Sequence, residues 1–542
     1  MKKLFILAFI LICLIPLKDL FNPGLPVTHD GQDHVARIAN FYQNLKEENI
    51  IPRWAGSLNW GYGHPILMFL YPLPSYFASL FHFLGFSLVD SLKIVFGISF
   101  ILSGLAMFLW IKEFLGYREG VVAGFLYILA PYRFVDLYVR GAIGEHVAFI
   151  FPPLILFFLL RLSKSNSKKD IVLGSLSLAG LILSHNAISL MFVPLIVLYG
   201  FFLWMKNSFK RNFLYSFIIV FIFGFGISAF FWVPAFFEGK YTLRDKVTAG
   251  ESLARFVPFR AFVYSPWNYG GTGLFSVQIG IVHWLMVFLG LLLSFINYKK
   301  KMIIFSLSAF LLFWIIIFLM VPLSMPVWKT ITILQKFQFP WRFLSVAVFL
   351  TSLIGGLVVY LLNKKIKFVA ACFVIFFLII LNKDYWHAKG YIYKPEDFYT
   401  KTYFGTTDTG ESAPIWSVRF MEKPPQDTIE VIEGKADIKK LARKINSHSY
   451  QINSLDVSRI RENTLFFPGW KIYVDGRQTE IQFQDPKNRG LMTFFVEKGV
   501  HDVKVTFGET KLRIISDMIS ISSFIMIIVF FLISKNLWKQ YR

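Results

Sequence analysis

The chain has 542 residues, of which 55% are hydrophobic and 62 are Phe, and its mean hydropathy is +0.55. A soluble globular chain carries far less apolar material, so lipid must solvate most of this one. The formal net charge is +23, but the cations lie in short runs between apolar spans, which indicates membrane topology and excludes a nucleic-acid surface. Cys13 and Cys372 both fall inside apolar spans, so neither a disulfide framework nor a Cys-based metal site is predicted.

Apolar windows of about 16 to 25 residues predict about twelve transmembrane helices. These windows lie at residues 4–20, 88–111, 120–135, 147–162, 171–187, 189–205, 213–235, 279–297, 302–321, 342–362, 367–382 and 513–534. The first window lacks a small-residue cleavage site after it, so we expect an uncleaved helix.

Basic residues set the predicted orientation. If the N-terminus is cytoplasmic, the basic clusters at 112–118, 161–169, 206–211, 299–301, 364–367 and 535–542 all lie inside. The sequence therefore predicts a multi-pass protein of the cytoplasmic membrane with both termini inside. Its transmembrane domain covers residues 1–382, with a long first outer loop at 21–89 in which the proline-rich stretch 65–86 lies in or dips into the interface. Residues 383–512 form an outer domain, and 513–542 form the last helix and its tail.

Alternating apolar and polar residues mark the outer domain as mainly β after about residue 429. Runs of this kind are TIEVIE, HSYQINSL, TLFFPGWKIYV, TEIQFQ, GLMTFFV and HDVKVTF. The turn Val474-Asp475-Gly476-Arg477 predicts a hairpin, and the regular spacing predicts a small β-sandwich. Phe467 and Trp470 lie in these alternating runs and are expected in a core or an interface.

Five polar residues follow the first helix directly: His29, Asp30, Asp33, His34 and Arg37. If a helix begins after Gly31, Asp30, His34 and Arg37 share one face. The two carboxylates then supply a general base, or bind a divalent cation together with His34. The alternative from spacing alone is an N-cap by Asp30 and an ion pair between Asp33 and Arg37.

A second group lies at the outer end of the third predicted span. Arg133, Asp136 and Arg140 are spaced i, i+3 and i+7, on one face of a helix, and Glu145 follows shortly after. Interfacial arginine suits phosphate recognition, because its planar fork donates two hydrogen bonds. The alternative is snorkelling of the arginines with an ion pair to Asp136.

His185 and Asn186, at the outer end of the fifth predicted span, and Arg342, at the start of the tenth, complete the candidate residues. Ionisable residues as a whole avoid mid-span positions and lie near outer helix ends, which predicts a ring around an outward-facing cavity. A P-loop, a dinucleotide fingerprint and a nucleophile elbow are absent from the sequence. An outer active site must therefore take an activated substrate from the membrane, for which a lipid-linked phosphate is the obvious candidate.

The sequence resembles known families at these same residues. The run from Ala130-Pro131-Tyr132-Arg133 through Tyr138-Val139-Arg140-Gly141-Ala142-Ile143-Gly144-Glu145, with Leu183-Ser184-His185-Asn186, resembles bacterial membrane proteins labelled pyruvoyl-tetrahydropterin-synthase-related. Phe467-Pro468-Gly469-Trp470 and Gly499-Val500-His501-Asp502-Val503 are similar to the outer domain of YfhO-like membrane proteins. Both groups resemble the GT-C superfamily of polyprenyl-phosphate-dependent glycosyltransferases. The tri-histidine zinc pattern of the soluble pterin synthase is not apparent.

The resemblance implies a helical membrane domain with a functional carboxylate in the first outer loop, and transfer of a sugar from a polyprenyl-phosphate donor to a glycan or envelope acceptor outside the membrane. In that hypothesis Asp30 or Asp33 is the general base, and Arg133, Arg140 and Arg342 hold the donor phosphate. His29, His34, Glu145 and His185 orient groups or assist a cation. The loop has Asp30-Gly31-Gln32-Asp33 where many such enzymes show Asp-x-Asp, so the choice between the carboxylates stays open.

Two other functions compete with this hypothesis. A transporter or flippase of lipid-linked glycans should have broken helices or mid-membrane charges, and neither is visible in the sequence. An envelope-assembly factor would use its outer β domain to bind glycan or protein, and would not depend on Asp30 and Asp33.

Overall fold

The computed structural model describes residues 9–271, 274–297 and 302–540, and confirms a helical membrane domain with a C-terminal β-sheet region. In these ranges seven helices are long and apolar enough to cross a membrane. Two further pairs of helices are bent at a short break, and the number of spans is nine if each bent pair is one span. The seven are Leu88–Phe114, Ile143–Ser165, Asn186–Lys206, Ile303–Met320, Pro340–Leu361, Lys367–Tyr385 and Lys511–Leu532. Shorter helices cover Lys168–Ser184 and Ile281–Ile296. The count of twelve stays a prediction, and residues 1–8 and the lysine run 299–301 lie outside the described ranges.

Two predicted spans, 120–135 and 213–235, are sharply bent. Tyr117–Ile128 meets Pro131–Arg140 at 47°, and Arg211–Ile227 meets Ala229–Phe237 at 69°. Pro131 has no amide hydrogen and its ring collides with a preceding helical turn, so the first helix of that pair must end before it. Broken helices are therefore present, contrary to the expectation from apolar windows alone.

The first outer loop contains the helix expected after Gly31. This helix, Gly31–Lys46, is called the loop helix below. The proline-rich stretch forms two short helices, Ile66–Phe69 and Leu73–Phe83, and at 4 and 11 residues neither is long enough to cross a bilayer. Further short helical turns are Ile15–Phe21, Asn59–Gly61, Gly239–Tyr241, Arg244–Val247, Ser252–Ala254, Phe259–Val263, Pro322–Ser324, Met325–Thr330, Thr332–Phe337, Lys383–Tyr385, Asp397–Thr400 and Pro486–Asn488.

The strands form two main antiparallel sheets and one small clamp. Their ranges are β1 Leu25–Pro26, β2 Tyr391–Ile392, β3 Ile429–Glu433, β4 Ala436–Lys444, β5 Ser447–Ser454, β6 Ser458–Leu465, β7 Trp470–Val474, β8 Arg477–Thr479, β9 Leu491–Val496 and β10 Gly499–Phe507. One sheet has the order β4-β5-β10-β7-β8 and the other β3-β6-β9. The pair β1 and β2 ties the start of the first loop to the beginning of the outer domain.

The predicted hairpin is confirmed, because Val474 pairs with Arg477 and both turn residues, Asp475 and Gly476, have positive φ. The predicted strand TEIQFQ is wrong: β8 ends at Thr479, and only an isolated bridge at Gln482 follows. The strand β4 was not predicted, because it is an edge strand rich in exposed charged residues.

The outer domain packs directly on the first loop. Trp470 and Phe467 are buried, as predicted for core residues. The Trp470 ring meets that of Trp54, from the first loop, edge-on at 5.4 Å between centroids. Arg513 at the start of the last helix donates to the Pro468 carbonyl at 2.6 Å. These contacts anchor the β domain to the loop and to the helix that follows it.

Loops predicted on the cytoplasmic side also meet one another. Lys367 pairs with Glu119 at 2.6 Å, and Lys164 pairs with Glu113 at 2.5 Å. The basic loops therefore gather at one end of the bundle, and the first loop and β domain gather at the other. Which end faces the cytoplasm stays a prediction from charge.

Cysteine labelling tests this orientation. In a background without Cys13 and Cys372, Lys439→Cys on exposed β4 should react with a membrane-impermeant maleimide in intact cells. Lys365→Cys, exposed in the opposite loop, should react only after permeabilisation. Labelling of Lys365→Cys from outside would reverse the topology and move the candidate site to the cytoplasm.

Candidate functional site

A turn of π-helix fixes the place where the first loop meets the helix bundle. The segment Val135–Arg140 forms this turn, a local irregularity that is frequent at functional sites. It ends at Gly141 with φ +69°, where a Cβ atom would collide with Thr28. His29 N donates to the Val139 carbonyl at 3.0 Å. The missing side chain at Gly141 therefore lets the loop backbone approach the end of the π-turn.

Asp30 is held beside Arg140 by the next backbone bond, from Asp30 N to the Arg140 carbonyl at 2.9 Å. Asp30 occupies the N-cap position of the loop helix, but its side chain makes no capping hydrogen bond. Thr28 Oγ1 accepts the N–H of Gly31, the first residue of the helix, at 3.1 Å. Asp30 therefore stands at the N-cap without capping the helix through its side chain, and in this respect the alternative is wrong. Its carboxylate is exposed, and it has no hydrogen-bond or ion-pair partner among the described residues.

Asp33 has a different environment from Asp30. Its Oδ1 accepts a hydrogen bond from the Tyr403 hydroxyl at 2.8 Å. Burial raises the pKa of Asp33, although the Tyr403 hydrogen bond and the Arg37 charge act in the opposite direction. The predicted ion pair between Asp33 and Arg37 is not formed. Asp33 thus joins the loop helix to the outer domain.

Arg37 is buried against a strained residue of the outer domain. Its Nη1 lies 2.9 Å from His34 Nδ1, its Nε donates to Thr407 Oγ1 at 3.3 Å, and its Nη2 donates to the Thr407 carbonyl. Thr407 has φ +62°, which is rare for a β-branched residue. Within the described chain Arg37 has no carboxylate partner. Burial lowers the pKa of His34 well below its ordinary value, and Arg37 and Arg140 add to this, so His34 is a neutral partner.

Two carboxylates hold Arg140. Glu145, which is fully buried, accepts from Arg140 Nη1 at 2.8 Å and from the Tyr132 hydroxyl at 2.7 Å. Asp136, one helical turn before Arg140, forms a second ion pair with the same Nη1. The charge of Arg140 is therefore compensated inside the protein. Ion pairs of this kind are costly to break, because a carboxylate would be left buried and alone.

Arg342 extends this cluster and is less compensated. Its Nε lies 4.0 Å from Glu145 Oε2, and its Nη1 donates to the Phe337 carbonyl at 2.9 Å. The neighbouring Trp341 ring stacks on Arg140 at 4.7 Å. The Arg342 side chain is 12% exposed, against 8% for that of Arg140. Arg342 is therefore less buried than Arg140, and its separation from Glu145 is longer.

Tyr71 lies among the charged groups of the two loops. Burial raises the pKa of its hydroxyl, Arg37, Arg342 and Arg140 counteract that rise, and Asp30 adds to it. The His185 ring stacks on Tyr71 at 5.0 Å between centroids. Asp30 is joined to Arg140 through the backbone, and Arg140 and Arg342 both approach Glu145, so these predicted residues lie at one place in the structure.

Two predicted residues lie at the edge of this cluster. His29 is exposed, with its Nε2 3.4 Å from the Tyr269 carbonyl. Asn186 Nδ2 donates to the Phe69 carbonyl at 3.0 Å, which fixes the loop backbone. Asn186 is therefore placed to support the loop, whereas the side chain of His29 is open to solvent.

Arg133 is a correction to the prediction. Its guanidinium is fully buried in the bundle, stacks on Phe149 at 3.9 Å and donates to Ser103 Oγ at 3.0 Å. Helical spacing put Arg133 and Arg140 on one face, but the π-turn between them changes the angular spacing. Arg133 consequently does not line an outward-facing cavity. The expected ring of outer charges is also more closed than predicted, since Arg37 and Arg140 are each only 6% exposed.

Sequence reasoning missed the contribution of the outer domain. Tyr403, Thr407 and Asp408 approach the site from a segment far away in sequence, and Asp408 lies 3.5 Å from His64. The contacts with His64, Ser412 and Gly410 hold the pKa of Asp408 below its ordinary value even though burial opposes this shift. The polar run Thr406-Thr407-Asp408 just before the predicted strands was the available signal.

The proposed metal ligands do not converge. Asp33 is bonded to Tyr403, His34 to Arg37, and Asp30 is exposed without a partner. In the part of the chain that the structure describes, no three His, Cys, Asp or Glu residues are grouped as a metal site. A divalent cation therefore stays a prediction in which Asp30 would be the available protein ligand.

Comparisons with known proteins give one family match. A family model described as "6-pyruvoyl-tetrahydropterin synthase related domain; membrane protein" matches residues 67–392, more than half of the chain. An uncharacterised protein of Lactococcus lactis subsp. cremoris (strain MG1363) is 26% identical over 222 residues, which cover 38% of this chain and 35% of that protein. The matched part thus spans about a third of that curated relative.

Two solved structures are similar in overall shape. The apo crystal structure of the Archaeoglobus fulgidus oligosaccharyltransferase has a TM-score of 0.48 and 14% identity. The aligned part covers 76% of this chain and 61% of the oligosaccharyltransferase chain. The arabinofuranosyltransferase AftD from mycobacteria has a TM-score of 0.44 and 12% identity. The aligned part covers 70% of this chain and 27% of the AftD chain. No conclusion about activity follows from likeness at this level.

Because Asp33 is buried, replacing it should stabilise the folded protein in a pH-dependent way. Burial in the folded state raises the pKa of Asp33 above its ordinary value of 3.8. Ionising Asp33 at neutral pH therefore destabilises the folded state relative to the unfolded one. Asp33→Asn should therefore unfold at a higher temperature than wild type at about pH 7, and the difference should disappear near pH 3.5, where Asp33 is largely protonated in both states. Thermal unfolding in detergent measures this. A lower unfolding temperature of the variant at neutral pH would contradict it.

Proposed function

We propose that this chain, which belongs to the 6-pyruvoyl-tetrahydropterin-synthase-related family of membrane proteins, is a GT-C-type glycosyltransferase of the cytoplasmic membrane. It takes a sugar from a polyprenyl-phosphate donor and transfers it to a glycan or other envelope acceptor on the outer face. One observation carries the proposal: the backbone of Asp30, whose exposed carboxylate has no partner among the described residues, is bonded to Arg140, in a cluster where the nearest carboxylate to Arg342 is 4.0 Å away.

Asp30 is the general base in this mechanism. It accepts the proton of the acceptor hydroxyl while that oxygen forms a bond to the anomeric carbon of the sugar. The bond between the anomeric carbon and the phosphate oxygen breaks, and its electron pair leaves with the polyprenyl phosphate. Asp30 suits this role better than Asp33, because a base must reach the acceptor and Asp33 is occupied by Tyr403.

The arginines stabilise the charge on the leaving phosphate. Arg342 is the direct contact in this proposal, because its side chain is less buried than that of Arg140 and its nearest carboxylate is 4.0 Å away. Arg37 adds positive charge from a buried position. Arg140 has a positioning role: Glu145 and Asp136 compensate its charge, and its carbonyl holds the amide of Asp30. His29 and His185 border the space in which the sugar would lie.

A transporter of lipid-linked glycans is the second candidate, favoured by the two broken helices. Bends of 47° and 69° within spans are a feature of transporters that bind substrate at unwound backbone. A transporter would move its substrate without a general base. The role of Asp30 therefore separates the two functions, and it equally separates the enzyme from an envelope-assembly factor.

Replacing Asp30 tests the general base. Asp30→Asn keeps the shape but removes basicity, so transfer should fall by roughly a hundredfold to ten-thousandfold. Asp33→Asn is the matched control and should retain most activity. The measurement is sugar transfer or donor hydrolysis in proteoliposomes across a panel of polyprenyl-phosphate sugars. Full activity of Asp30→Asn would refute the mechanism, and a wild-type protein inactive on the whole panel would count against the enzyme.

Replacing Arg342 tests the phosphate contact. Arg342→Gln should raise the KM for the donor by roughly tenfold to a hundredfold, since a charge-assisted hydrogen bond to phosphate is lost. The KM for the acceptor should stay unchanged. Arg118→Gln, at the opposite end of the bundle, is the control and should change neither constant. An equal effect on both substrates would show that Arg342 maintains the fold of the site instead.

A further inference from the structure

Two neighbouring cavities, called the groove below, lie between the first loop and the outer β domain. Their volumes are about 270 and 550 Å³, and Ser57, Thr400 and Ile445 line both. The larger cavity alone has room for a ligand of several rings. The groove follows the loop helix from Ala39 to Lys46 and then passes under β4 and β5.

This groove is separate from the arginine cluster. Ala39, its first residue on the loop helix, lies nine residues after Asp30, which corresponds to about 14 Å along a helix. The segment that contains Tyr403 lies between the two places: its carbonyl accepts from Trp60 N, and its hydroxyl donates to Asp33. A ligand in the groove would therefore not contact Asp30 directly.

The aromatic wall of the groove is held in a costly backbone conformation. Trp60 and Tyr62 are partly exposed there. Asn59 and Trp60 both adopt left-handed backbone angles, with φ of 54° and 61°, which side-chain-bearing residues rarely do. Hydrogen bonds from Asn59 N to Gly405 and from Trp60 N to Tyr403 enforce this conformation, at 2.8 and 2.9 Å. These hydrogen bonds keep Trp60 in the wall of the groove.

The charged wall of the groove is basic. Lys46 and Lys444 are exposed and have no carboxylate partner among the described residues. Of the two carboxylates in the lining, Asp427 pairs with Lys440, whereas Glu47, whose Oε2 accepts from Ile445 N at 2.8 Å, keeps its negative charge. The two unpaired lysines outnumber Glu47, so the unpaired charge of the wall is positive.

A buried polar group forms the floor. His448 is only 3% exposed, and its Nδ1 lies 3.0 Å from Glu462 Oε1. Its Nε2 has no partner within the described residues, and His448 lines the larger cavity. Arg443, also in the lining, donates to the same Glu462 at 2.9 Å. Glu462 thus fixes two nitrogen-bearing side chains toward the groove.

We propose that this groove binds an acidic glycan chain. Aromatic rings stack on the apolar faces of sugar rings, lysine and arginine pair with carboxylate or phosphate substituents, and a fixed imidazole nitrogen bonds a hydroxyl. A protein partner would require a more apolar surface, because the centres of protein interfaces are depleted in charged residues. A membrane surface does not suit a groove that lies between the β domain and the loop.

Binding of defined oligosaccharides tests the proposal. The probes are a hexamer of galacturonic acid and uncharged maltohexaose, titrated calorimetrically into the full chain in nanodiscs. The acidic hexamer should bind more tightly, and its affinity should fall with added salt. Trp60→Ala should weaken its binding by about tenfold, and Lys444→Ala, at an exposed position that does not affect folding, by roughly threefold.

Exposed residues outside the groove provide matched controls. Tyr393→Ala and Lys471→Ala should leave the affinity unchanged. Asp30→Asn should also bind the hexamer normally, so that loss of transfer and loss of groove binding are separate results. Absence of binding by both probes, or binding unaffected by both groove substitutions, overturns the proposal. Equal affinity for maltohexaose overturns its acidic part.

Discussion

Arg140 is buried between two carboxylates at the end of the helix bundle that carries the first loop, and the geometry of the candidate site depends on it. An unpaired guanidinium or carboxylate is very costly in a medium of low dielectric constant, so Arg140, Glu145 and Asp136 hold one another in place. The carbonyl of the same arginine accepts the amide of Asp30. One residue therefore fixes both the counter-charges and the position of the candidate base.

The outer domain completes this arrangement. Thr407 holds Arg37, and Tyr403 holds Asp33, so two residues of the loop helix are bound by a segment that follows all but the last of the membrane helices. The paired strands β1 and β2 fasten the beginning of the loop to the same domain. The site is therefore shared between the two parts of the chain, and the first loop cannot adopt this conformation alone.

Local and periodic features could be predicted from the sequence. Apolar windows located the seven unbroken spans, and the Asp475-Gly476 turn predicted its hairpin, because both depend on neighbouring residues. Long-range contacts were not predictable. Asp30 has the residue type and the position of an N-cap, but its side chain makes no capping hydrogen bond. Arg133 matched the face of Arg140 on an ideal helix, but the π-turn separated them. The role of Thr407 depends on a partner 370 residues away.

The two broken helices need a closer comparison with transporters, since a transporter uses freed backbone groups to bind its substrate. In this protein, side chains form hydrogen bonds with backbone groups at both breaks. Asn382 donates to the Leu129 carbonyl at 2.7 Å beside the first break. At the second, Ser520 accepts from Phe230 N at 2.7 Å.

Arg53 donates to the Phe230 carbonyl at the same distance, 2.7 Å, so the second break is closed on both its donor and its acceptor side. Backbone groups that are satisfied in this way have little left to offer a ligand. The first bend has a different consequence: it leads through Pro131 into the π-turn that holds Asp30. The first bend thus has a structural role in placing the candidate base. This role, together with the bonded backbone groups at the second break, favours the enzyme over the transporter.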